Sequence, residues 1–261
     1  MSTRTVRPIA SAAACGTALA MLLAGCSSPR AESAAESPAP AAAAESPTPS
    51  TDATTCPNPH GGSCLGPLEA GEYETTTFDP TISYRVPEGW FNSEDLPGNF
   101  WLFLEEDAEV QSSARGGSYL GVYTNVHAAA LDCGEGWEDG VGTTPADLVA
   151  WYQSMPGLTV SEPVPASVGG LDGLQVDLAL EDGVEACDFG GNPGLPLIIG
   201  DGVSDLHHVI LEDMDVRLVL LEWGEGNLTL EITNVREQRS AEEFRSQLQP
   251  IIDSLVFDVA P

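Results

Sequence analysis

Two helix-start signals stand far apart in this chain, and what lies between them limits the fold more than any other feature. Thr144-Pro-Ala-Asp147 offers a capping threonine, a proline for the first turn and an acid at the positive helix end. Leu148, Val149, Trp151, Tyr152 and Met155 continue that helix until Pro156-Gly157 stops it. Ser240-Ala-Glu-Glu243 is a capping box, and Phe244, Leu248, Ile251 and Ile252 form an apolar stripe behind it. The rest reads as strand and turn. Residues 81–87, 100–104 and 118–126 precede the first helix, and residues 158–160 and 163–168 are short extended pieces after it. Gly169-Gly-Leu-Asp-Gly173 is a turn into 174–180, where Leu174, Val176, Leu178 and Leu180 share one face. Residues 182–196 read as irregular. Strands at 206–211, 216–223 and 228–235 are joined by short acidic or glycine-bearing turns, and 255–257 closes the chain. Parallel strands need a crossover between each pair, and helices this sparse cannot supply them. The expectation is an α+β domain: a mostly antiparallel sheet with two main helices packed on it.

The first residues belong to a different regime. Residues 1–7 carry Arg4 and Arg7 and no acid, residues 9–23 are apolar or small, and Ala24-Gly25 precede Cys26. A basic start, an apolar core and small residues before a cut describe a secretory signal, and the apolar run is short for a membrane-spanning helix. With cysteine directly after Leu23-Ala24-Gly25, this stretch resembles the lipobox of bacterial lipoproteins. The resemblance implies that residues 1–25 are a signal peptide and that Cys26 becomes the first residue and carries a diacylglycerol. More than one acyl chain gives stable anchoring at about 0.8 kcal/mol per buried methylene. The expected location is the extracytoplasmic face of the cell membrane. Apart from Cys26, Arg30 and Asp52, residues 26–55 are Ala, Ser, Pro, Glu and Thr with no aromatic, too poor in apolar surface to offset ordering entropy, and read as a disordered tether. Residues 56–261 are the globular domain.

The 261 residues include 40 acids and 9 basic residues, all arginine, for a formal charge of −31. Processing removes two of those arginines. Such a charge excludes nucleic acid and a bare anionic membrane as partners. It reads first as a solvated acidic shell and second as an attractor of cations or basic partners. Of six cysteines, Cys15 leaves with the signal and Cys26 takes lipid. Cys56, Cys64, Cys133 and Cys187 remain, an even number that in an exported chain points to two disulfides. Cys56–Cys64 with Cys133–Cys187 is the preferred pairing of the three available. A metal site from the Cys56–Cys64 segment with His60 is the alternative, disfavoured because an oxidising compartment removes free thiolates.

Several pieces resemble a known family. Ser83-Tyr-Arg-Val-Pro-Glu-Gly-Trp90, the helix ending Ser154-Met-Pro-Gly-Leu158, the turn Val168-Gly-Gly-Leu-Asp-Gly-Leu174 and the closing Pro250-Ile-Ile-Asp-Ser-Leu-Val-Phe257 look like exported actinobacterial lipoproteins. Their layout is similar to the PsbP/Mog1-like α/β/α sandwich, over about residues 73–259. The glycine-rich insert around Cys187 departs from a minimal version of that fold. No catalytic residues come with the resemblance, whose members are mostly binding or assembly proteins.

The search for chemistry is thin. There is no Gly-x-Ser-x-Gly elbow. His207 and His208 are neighbours on a strand and face opposite ways, so they read as polar strand positions rather than a ligand pair. Glu212, Asp213 and Asp215 lack the glycine and distal glutamate of a calcium loop, and Glu105-Glu-Asp107 reads as a solvated strand end. Asn227-Leu-Thr229 fits a glycosylation pattern by coincidence. Trp90 and Trp151 are expected in the core where helix meets sheet. Trp137, between Gly136 and Glu138-Asp139-Gly140, has no periodic context and is the candidate contact residue. No cofactor or metal is expected. The reading is a lipid-anchored, non-enzymatic module that binds a protein or a small apolar ligand. The alternatives are a cell-envelope hydrolase with an unrecognised carboxylate pair, or a structural envelope component.

Overall fold

A computed structural model of the chain describes residues 65–113, 116–134, 136–184, 187–200 and 208–259. The residues expected to form the signal peptide and the tether, with Cys26, Cys56, His60, Cys64 and His207, lie outside the described residues. In chain order the first strands are β1 Gly66–Leu68, β2 Gly71–Glu74, β3 Ile82–Val86, β4 Trp90–Leu96, β5 Asn99–Leu104, β6 Tyr119–Thr124 and β7 Val126–Ala128. Helix α1 is a single turn, Ala108–Gln111, and α2 spans Pro145–Ser154. Then come β8 Leu158–Val160, β9 Val164–Val168, β10 Leu171–Leu180, β11 Cys187–Phe189, β12 Asn192–Gly200 and β13 His208–Leu211. The chain ends with β14 Met214–Trp223, β15 Gly226–Val235, α3 Ala241–Ile252 and β16 Val256–Phe257.

Three sheets result. The largest runs β1-β4-β5-β6-β15-β14-β10-β8, with β9 also on β10; the second runs β11-β12-β13 with β7 on β12; the third runs β16-β3-β2. Every ladder between named strands is antiparallel. No described helix is long and apolar enough to cross a membrane.

Strand alternation divides the core. On β14, Val219 and Leu221 join a cluster with Phe244, Leu248 and Ile251 of α3, while Val216, Leu218 and Leu220 join one with Leu148, Val149 and Tyr152 of α2. The two helices therefore cover opposite faces of the large sheet. The third sheet adds Ile82, Tyr84 and Phe257 to the α3 side, and the second adds Leu197, Ile198 and Ile210 to the α2 side. The caps act where the sequence places them. Thr144 accepts from the Asp147 N–H at 3.3 Å, and Ser240 from the Glu243 N–H at 3.2 Å. Trp90 is buried on the α3 side; Trp151 is half-buried on α2.

Two expectations need correction. Residues 182–196 are not wholly irregular: Gly190 and Gly191, at φ +65° and +89°, make the tight turn of a β11–β12 hairpin. Nor is Glu105-Glu-Asp107 a solvated strand end. It forms a 3₁₀ turn, and Asp107 is buried because the Arg239 guanidinium reaches it at 2.9 Å from far along the chain.

Candidate functional site

The site begins with the hairpin-like excursion between β7 and α2. The chain leaves β7, passes Cys133 and returns so that Trp137 bridges Ala129 in antiparallel fashion. The Ala130 N–H donates to the Gly136 carbonyl at 2.9 Å and the Glu138 N–H to the Ala128 carbonyl at 2.8 Å, closing both ends of the loop. Cys133, in the left-handed region at φ +63°, is joined by a disulfide to Cys187 of β11. The preferred pairing of these two cysteines is thus present, and it ties the loop tip to the second sheet.

This bracing presents an aromatic outward. The Trp137 side chain stacks on the His127 ring with centroids 4.9 Å apart and planes 24° apart, yet 58 % of it stays exposed. His127 sits on β7, paired to Ile199 of β12, so the stack stands on sheet rather than on loop alone. Near it in the chain are exposed Asp132 and Asp139 and half-buried Glu138. A large, rigid apolar face with little rotamer freedom to lose is the residue type on which protein interfaces concentrate energy. Acids this near in the chain, and the open indole itself, favour a cationic side chain from the other partner.

A second polar cluster lies inside the domain. His208 of β13 reaches across to the large sheet, where its Nδ1 lies 2.7 Å from Oε2 of Glu231 on β15. A carboxylate only accepts, so Nδ1 carries the hydrogen. The Tyr119 and Tyr123 hydroxyls lie 3.2 and 3.1 Å from the same nitrogen, and Trp101 Nε1–H donates to the Tyr123 hydroxyl at 2.5 Å. Thr233 Oγ1–H donates to the other Glu231 oxygen at 3.1 Å. Burial first, and the Glu231 charge second, hold both tyrosines far above the ordinary phenol range, so their hydroxyls remain donors. Gly121 makes room: a Cβ there would lie 2.0 Å from the Tyr123 oxygen. Glu94, half-buried at the edge of this cluster, has its carboxyl raised by burial, against the opposing pull of His208 and of the Asn99 amide. Histidine, threonine and the two tyrosines together match the roughly four acceptor positions of a carboxylate. Glu231 is therefore satisfied from within, as a structural link between two sheets.

The remaining sequence candidates separate from one another. Asp215 holds Arg236 at 2.9 Å. Asn227, fully buried, accepts from the Val126 N–H at 3.3 Å and donates to the Thr143 carbonyl at 2.8 Å. Among the described residues no group of three or more His, Cys, Asp or Glu side chains converges to hold a metal ion. Sequence reasoning missed the His208–Glu231 network because its members sit on four strands; only the polar face of β15 hinted at it.

No protein-family model matches the chain, and no curated protein matches it. Among solved structures it is similar to the solution structure of cyanobacterial PsbP (CyanoP) from Synechocystis sp. PCC 6803, at 12 % identity and a TM-score of 0.34, over 75 % of this chain and 98 % of that one.

Proposed function

We propose that this protein is a lipid-anchored, extracytoplasmic binding module that holds a protein partner at Trp137. The observation that carries the reading is the exposed indole kept on a fixed support. A loop closed by two backbone hydrogen bonds and a disulfide holds a tryptophan out of the core, where hydrophobic burial alone would draw it in. The Leu23-Ala24-Gly25-Cys26 stretch and the long tether support attachment to the outer membrane leaflet through Cys26, and a disulfide fits an oxidising compartment. The layering, with one helix on each face of the sheet, supports grouping the domain with the PsbP/Mog1-like sandwiches that its sequence pieces resemble. The strong negative charge and the acids near Trp137 in the chain favour a basic surface on the partner.

The test uses the full chain in an actinobacterial host, with a photo-crosslinking side chain at position 139. A discrete protein adduct that disappears on Trp137→Ala is the expected result. Adducts of equal yield with and without the indole, or none at all, overturn the proposal. Cys26→Ala is expected to move the protein from the membrane pellet to the soluble fraction, and its retention in the pellet would remove the anchor from the reading.

A further inference from the structure

The five described arginines are distributed unevenly against the acids. Arg85 pairs with Glu72, Arg236 with Asp215, and Arg239 with both Asp107 and Glu106. Arg217 of β14 and Arg245 of α3 instead share one carboxylate. Asp177 on β10 takes Arg217 in a two-point fork at 2.7 and 2.8 Å and Arg245 at 3.0 Å. In a chain with 40 acids, two guanidiniums on one carboxylate is a local excess of positive charge. Burial, and after it the like charge of Arg217, depresses the Arg245 guanidinium, with Asp177 and Asp215 pulling the other way. Asp215 is already occupied by Arg236.

The two arginines face a cavity of about 500 Å³ between β9, the neighbouring strands of the large sheet and α3, within the range of small-molecule sites. Both guanidiniums line it, each about three-quarters buried by its own side chain's exposure of 23 % and 24 %. Val219, Ile232 and Ile252 give its lining an apolar part, beside the polar Gln175 and Gln249. Asp253, beyond the last turn of α3, lines it too and accepts from Gln249 at 2.7 Å, so a second negative charge is unwelcome there.

We propose that this groove binds an organic monocarboxylate, its carboxylate on the guanidinium N–H groups of Arg217 and Arg245 that Asp177 leaves free and its apolar body against Val219, Ile232 and Ile252. Planar guanidiniums match a carboxylate at two points, which a point charge does not. The site is separate from Trp137 and stands whether or not that residue meets a partner.

The probe is hexanoate, titrated into the full chain while the arginine Nε–Hε signals are followed by NMR. Saturable shifts at Arg217 and Arg245 are expected, with none from hexanamide, which lacks the charge, and weaker ones from adipate, which carries a second. Arg245→Gln is expected to weaken hexanoate about tenfold, the factor of one charged hydrogen bond. Asp177→Asn, which frees both forks, is expected to tighten it, so loss of fold cannot mimic the full pattern. Equal shifts from hexanoate and hexanamide, no saturation at millimolar hexanoate, or weaker binding in a folded Asp177→Asn protein would each overturn the proposal.

Discussion

Over residues 227–233 the two sides of β15 make opposite use of the same burial. On the α3 side Leu228, Leu230 and Ile232 pack into a cluster of aliphatic and aromatic groups. On the other side Asn227, Thr229, Glu231 and Thr233 are as deeply buried, and every one of them is polar. Both sides are stable for different reasons. The first gains from contact with whatever apolar surface fits, at about 25 cal/mol per Å² removed from water. The second needs specific donors at specific distances, because an unmatched polar group in the interior costs more than a made hydrogen bond returns. The apolar side glues α3 to the sheet; the polar side sets which residue of the second sheet meets which residue of the first.

The largest effect expected is at the centre of the polar side. Glu231→Ala removes the acceptor of His208, Thr233 and the two tyrosines, and a broken buried charge network typically loses about 3–5 kcal/mol. Urea unfolding followed by tryptophan fluorescence measures it. A loss below about 1 kcal/mol would mean that water replaces the carboxylate as easily as at a surface, and the two sides would then not differ in kind. Next comes the apolar side, where Leu230→Ala is expected to lose about 3 kcal/mol from transfer and cavity terms, in the range of 2–5 seen for such truncations. The comparison sharpens in the double variants. Glu231→Ala with His208→Ala is expected to fall short of additivity by about 1–3 kcal/mol, since the pair is one interaction. Glu231→Ala with Leu230→Ala, on opposite faces and sharing no partner, is expected to add to within about 0.5 kcal/mol. Strong coupling in the second pair would show that the faces are not independent.

The same contrast explains what a reader of the sequence sees. Apolar alternation and capping are local, so both main helices, the strands around Val216–Trp223 and Leu228–Val235 and the antiparallel arrangement were legible from neighbouring residues. Buried polar groups are not, since what makes them tolerable lies elsewhere. Strand β4 hides behind Asn92-Ser-Glu-Asp95, a polar run with no apolar alternation. Yet Asp95 is buried, accepting at 2.9 Å from the backbone N–H groups of both Thr76 and Phe78, and the Asn92 amide meets the Tyr84 hydroxyl at 3.3 Å. Asp107 reads as solvated because Arg239 lies beyond any local window. Of the candidate sites, Trp137 stood out because nothing periodic surrounds it, and an even cysteine count pointed to two disulfides, with Cys133–Cys187 in the preferred one of three pairings. Its stacking partner His127 carried no signal, because β7 is too short to show a pattern. The Arg217–Asp177–Arg245 group was invisible for the reason that hides Asp107: two strands and a helix bring it together.

Asp177 also supplies the mildest test, a charge at the rim of the α3 face to set against Glu231 in the interior. Burial alone would raise its carboxyl, but the Arg217 hydrogen bond and the charges of Arg245 and Arg217 outweigh burial and hold it below the ordinary aspartate range. A group depressed in the folded state contributes stability that is complete above its unfolded value, about 3.9, and is lost as pH falls through the lower folded value. With its side chain 38 % exposed, solvent screens the pairing, so Asp177→Asn is expected to cost at most about 1 kcal/mol at neutral pH. The melting-temperature gap between wild type and Asp177→Asn is expected to be flat from about pH 5 to 7 and to close below about pH 4. A gap that persists undiminished in acid would assign the loss to packing instead of charge, and Asp177 would then belong with Leu230 rather than with Glu231.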